Sequence, residues 1–127
     1  MSKVVKKKNR LVEDLKAAKK LLETKGRWVV GSEVTIKGHE EDFDEDELMA
    51  FLRVVTVPPE ACFCTSGAIR YVTGYDSDRY YAAIKAFASV LPVNQYDPES
   101  AVVEWNDKKA THKKVLDKFD EAIKAVA

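Results

Sequence analysis

The chain has 127 residues, 46% hydrophobic and 33% charged, with 21 basic and 21 acidic side chains and a formal net charge of zero. That length suits a single domain, 1–127, whose core needs neither metal nor disulfide, and the composition is globular rather than disordered. Charge balance excludes the basic excess of an electrostatic nucleic-acid binder, and the lack of an apolar run of roughly 18 residues excludes a membrane-spanning helix.

The N-terminus, MSKVVKKKNR, is basic but lacks the apolar run of a secretion signal. Residues 1–8 are therefore expected to be a disordered basic extension. Cys62 and Cys64 stand too close for a structural disulfide, which predicts a reduced, cytoplasmic protein.

The first periodic segment covers residues 9–25. Leu11, Leu15, Ala18 and Leu22 recur at helical spacing, and Gly26 stands where the left-handed residue after a helix belongs. Residues 27–38 change character: Val29, Val30, Val34 and Ile36 are β-branched and lie among Gly31 and Gly38. This is the one strong β signal in the chain, and it predicts a short hairpin or two extended pieces.

Residues 40–47 hold seven acids in eight positions. Asp44 as N-cap puts Glu47 at the third helical position, which completes a capping box, with Phe43 and Leu48 placed as a hydrophobic staple. Acids in a first turn also oppose the positive end of the helix dipole. Leu48, Phe51, Leu52 and Val55 would form the buried face, and Pro58-Pro59 ends the element. The run lacks the central glycine and ligand alternation of an EF-hand.

Residues 60–72 are apolar on nearly every side, which predicts a buried central helix stopped at Gly74. Gly67 inside it weakens helicity, so a neighbouring helix or backbone should approach closely there. Asp76 and Ser77 cap a helix carrying Tyr80, Tyr81, Ile84, Phe87, Ala88 and Leu91, closed by Pro92. Asp97-Pro98 starts a short helix through Trp105, and Thr111 caps a last one with Val115, Leu116, Phe119, Ala122, Ile123 and Val126 inward. The expected fold is thus mainly α: one compact domain of five to six helices with a small β-hairpin or extended insertion near 27–38.

Several residues could carry chemistry. Cys62 or Cys64 could act as nucleophile or metal ligand with His112 and Asp107, but no C-x-x-C pair or second cysteine pair is present, and small buried thiols are the plainer expectation. Lysines at the termini (Lys6 to Lys8, Lys108, Lys109, Lys113, Lys114) could contact phosphates weakly, with no recognition-helix or RNP motif in support. Tyrosines are concentrated in the middle of the chain, at 71, 75, 80, 81 and 96, and tyrosine suits interfaces. P-loop, G-x-G-x-x-G, H-E-x-x-H and G-x-S-x-G patterns are all missing, so neither cofactor nor metal is expected.

Two segments carry a resemblance. Cys64-Thr65-Ser66-Gly67-Ala68 has the form C-x-x-G-A, and Trp105-Asn106-Asp107 is followed by Thr111, Val115, Phe119 and Ala122-Ile123. With Gly26 and Trp28 upstream, the chain from Leu11 onward resembles a family of small proteins of unknown function found in bacteria, notably actinobacteria, and in bacteriophages. The resemblance implies a shared fold, a phage or mobile-element setting, and one structural unit built from both motifs.

The expected function is that of a small cytoplasmic accessory protein acting by protein binding or self-association rather than catalysis. Its expected interaction surface is Tyr80, Tyr81 and Trp105, with the acidic edge Glu40, Glu41, Asp42 and Asp46 as a second choice. The alternatives are an enzyme or metal protein using Cys62 or Cys64 with His112 and Asp107, and a weak nucleic-acid binder. Turn chemistry reads Trp105-Asn106-Asp107 as a corner: Trp105 turned toward Gly67 and Ala68, Asn106 left-handed, Asp107 bonded to nearby main chain.

Overall fold

The computed structural model describes residues 3–74, 76–92 and 97–127, with side chains from Lys6 onward. Tyr75 and Tyr96 lie outside the described residues. These residues form six helices and one two-stranded antiparallel pairing. The elements are α1 (Lys3–Glu23), β1 (Val34–Ile36), α2 (Glu45–Leu52), β2 (Ala61–Phe63), α3 (Thr65–Thr73), α4 (Ser77–Ala88), α5 (Pro98–Lys108) and α6 (His112–Val126).

Helix α1 begins at Lys3, so Lys6 to Lys8 belong to it rather than to a disordered extension. Lysine is a good helix former, and only its apolar stripe needs packing. Leu15, Ala18 and Leu22 supply that stripe against α3 and α6, and Gly26 takes the expected positive φ of 85°. The caps fall where the sequence placed them. Asp44, Asp76, Asp97 and Thr111 each accept hydrogen bonds from main-chain amides of the first turn they precede.

Two local expectations are corrected. Segment 60–72 is not one helix: Ala61–Phe63 is a strand, and the helix starts only at Thr65. Pro58-Pro59 favours extended backbone ahead of it, and a short apolar run cannot by itself distinguish buried strand from buried helix. The extended insertion expected at 27–38 is present, and its two pieces both pair with β2. Val34 lies opposite Phe63 and Ile36 opposite Ala61, while the Phe63 amide and carbonyl bond to Arg27 O and Val29 N. Helix α2 stops at Leu52, so its buried face is Leu48, Met49 and Leu52; Phe51 and Val55 are exposed, and so is Phe43, the outer half of the staple.

Phe87 of α4 stands at the centre of the core, with ring centroids 4.7 Å from Phe119 and 5.8 Å from Trp105, both edge-on. Complete burial of such a ring stabilises by roughly 2–3 kcal/mol. Trp105 is 3% exposed and packs on Phe87, whereas Gly67 meets the main chain of Glu33. The close neighbour expected at Gly67 is therefore backbone.

Candidate functional site

Helix α5 does not end at Trp105 but continues to Lys108, and among the described residues no non-glycine takes positive φ. Asn106 and Asp107 are thus helical, not a corner. Their side chains are used for tertiary bonds instead. Asn106, fully buried, accepts on Oδ1 from Trp28 Nε1 (2.7 Å), Thr65 N (3.0 Å) and Thr65 Oγ1 (2.6 Å). Its Nδ2 donates to Val29 O (3.2 Å) and to Asp107 Oδ1 (3.0 Å). Three donors converging on one atom fix the orientation of the amide. Asp107 Oδ1 also accepts from Gly31 N at 2.9 Å, so its main-chain partner is distant in sequence. Asn106-Asp107 therefore clamps residues 28–31 and the start of α3 onto α5.

That clamp places the two motifs on one cavity of about 270 Å³, open to solvent. It is lined by Gly31, Ser32 and Glu33 before β1, Glu45 of α2, Cys64, Ser66 and Arg70 around α3, Tyr80 of α4, and Glu99, Val103 and Asp107 of α5. Gly67 lets this happen: a Cβ there would stand 1.8 Å from Glu33 O, so any side chain would push the Glu33 segment off α3. Along the wall Arg70 pairs with Glu33, reaches Glu99 at 3.5 Å, and lies 4.2 Å above the Tyr80 ring. Tyr80 donates its hydroxyl to Glu99 at 2.5 Å. Burial, then that hydrogen bond to a carboxylate, pushes the Tyr80 pKa up. Burial also raises the Glu33 carboxyl, more than Arg70 lowers it. Four carboxylates, Glu33, Glu45, Glu99 and Asp107, face a single guanidinium.

The sequence candidates are distributed unevenly over this geometry. Cys64 and Asp107 line the cavity, but His112 does not; it bonds Leu22 O at 2.5 Å and stacks on Trp28. Cys64 caps α3 with its sulfur, which accepts from Gly67 N at 3.3 Å and contacts Ser66 Oγ at 3.2 Å. Cys62 donates to Gly26 O. Burial raises both thiol pKa values, the opposite of what a nucleophile requires. Among the described residues no group of three or more His, Cys, Asp or Glu is placed to hold a metal ion.

Tyr80 (4% exposed) and Trp105 are buried too deeply to offer an outer docking face; only Tyr81, at 54%, is open. One helix cannot turn adjacent residues to the same depth, and here Tyr80 is the inner one. The acids Glu40, Glu41, Asp42 and Asp46 are exposed; Glu40 bonds Gly38 N and Asp42 pairs with His39. Sequence reading missed Glu33, Arg70 and Glu99. The available signal was Arg70, a lone cation inside an otherwise apolar run.

Fold and cavity together define a small, mainly α-helical protein whose two short motifs enclose an anionic, solvent-open cavity. By its match over residues 7–125, the chain belongs to DUF6197, a family of unknown function. No curated protein and no solved structure matches it. None of the helices among the described residues is long and apolar enough to cross a membrane.

Proposed function

We propose that this is a small accessory protein of the cytoplasm, working in a phage or mobile-element setting, that acts by binding. Its site is the anionic cavity, and the ligand is the cationic side chain, lysine or arginine, of a protein partner. The observation that supports this is the excess of four carboxylates over one guanidinium around about 270 Å³ of open space. At about 4 Å and an effective dielectric near 20, a single unpaired carboxylate attracts a cation by about 4 kcal/mol before desolvation is subtracted. Val103, 38% exposed, offers apolar surface to an alkyl stem. Two raised thiol pKa values and a histidine engaged elsewhere favour binding over nucleophilic chemistry.

The test is an NMR titration with N-acetyl-lysinamide, N-acetyl-argininamide and a short lysine-containing peptide, using a neutral glutamine peptide as control. The expected result is movement of the Ser32, Ser66 and Val103 amides with the cationic compounds, weakened several-fold by Glu45→Gln, an exposed rim substitution. Unmoved amides, or equal binding by the variant, would overturn the reading.

A further inference from the structure

Besides the cavity, the surface carries two features of opposite charge that each expose apolar groups. One is the acidic segment 40–47, whose only uncharged member is Phe43, 53% exposed. Near the end of α2 stands Phe51, 57% exposed, followed by the exposed Val54 in the closing turn. The other is a groove of about 530 Å³ between the first turns of α1 and the start of α4. Leu11, half-buried, and Ala82, exposed, are its apolar lining residues, and Lys6, Lys7 and Arg10 its exposed basic ones. Its acids are partly neutralised: Asp14 holds Arg79 in a two-point pair, and Asp76 caps α4. Asp78 adds one further negative group.

From these we infer that a second copy of this chain occupies the groove, docking its acidic segment with Phe43 against Leu11 and Ala82. Charge complementarity selects this occupant. The chain is neutral overall, yet its acids are massed at 40–47 and its bases at 6–10, so two copies gain by meeting unlike ends. Phe43 supplies the apolar anchor that a charged rim surrounds at an interface. Phe51 and Val54 extend the covered area beyond one ring. Segment and groove are different surfaces, so the contact is head-to-tail and each dimer retains one free segment and one free groove. Longer chains then form at high concentration.

Two full-length variants test this: Phe43→Ser, which removes the anchor, and Lys6→Glu/Lys7→Glu/Arg10→Glu, which reverses the rim. All four positions are exposed, and unchanged circular dichroism and melting curves would verify folding. In sedimentation velocity the parent chain should associate at low salt, and raising salt from about 0.05 to about 0.3 M should weaken association about tenfold. Each variant alone should be monomeric. Mixed, the two should form a dimer and nothing larger, because only the groove of the first and the segment of the second remain intact. A monomeric parent at low salt, a variant that still associates, or a mixture that fails to pair would each overturn the inference. None of these outcomes depends on ligand binding in the cavity.

Discussion

Asn106 and Gly67 shape the candidate site without needing to touch a ligand. Asn106 satisfies the buried amide and hydroxyl of Thr65 together with the half-buried Trp28 indole N–H and Val29 carbonyl, and removing it would orphan the two Thr65 groups at about 1–3 kcal/mol each. Gly67 has ordinary helical backbone, so its role is the missing Cβ rather than conformational freedom. Because main chain cannot swing aside as a flexible side chain can, Gly67→Ala should destabilise the fold by roughly 3 kcal/mol. Urea denaturation would measure this, and a midpoint equal to that of the parent would show that the Glu33 segment is free to move. Sequence pointed to a close neighbour at Gly67, but not to Asn106 as a buried hub, since asparagine in W-N-D suits a turn equally well.

Among the elements, α2 depends most on its start. It has eight residues, too few to be stable alone, and it ends at Leu52 with Phe51 unburied. Asp44 accepts from the Asp46 and Glu47 amides at 3.0 and 3.2 Å. Asp44→Ala should therefore cost about 1 kcal/mol, while Asp44→Asn should retain most of the stability. Comparison of the two melting temperatures checks this; equal losses would assign the effect to charge rather than capping. Such signals are readable in sequence because cap and capped amide lie within three residues. The strand at Ala61–Phe63 was not, because its extended form depends on β1 and on residues 27–29 flanking it.

Across the whole molecule, Glu33 links the cavity to stability. Its folded carboxyl binds a proton more tightly than in the unfolded chain, since burial outweighs the nearby Arg70. A raised acid pKa contributes stability that is present at low pH and lost as pH rises through the folded value. Glu33→Gln cannot lose that proton. Its unfolding free energy relative to the parent should therefore improve as pH rises above the ordinary glutamate value, and level off once the folded carboxyl has lost its proton. Urea unfolding at four pH values would reveal the slope, and a pH-independent difference would mean that Arg70 compensates the burial in full.

Four caps, at Asp44, Asp76, Asp97 and Thr111, and the glycine stops after α1 and α3 were legible in the sequence alone, because each depends on residues within a turn or two of one another. The two short patterns, C-x-x-G-A and W-N-D, were visible there too. What joins them was not. Trp28 bonds Asn106 across 78 positions, Asp107 bonds Gly31 across 76, and Arg70 pairs with Glu33 across 37. No periodicity or local propensity encodes which distant partners will meet. Only packing decides that, and packing turned an expected corner into the clamp that forms the cavity.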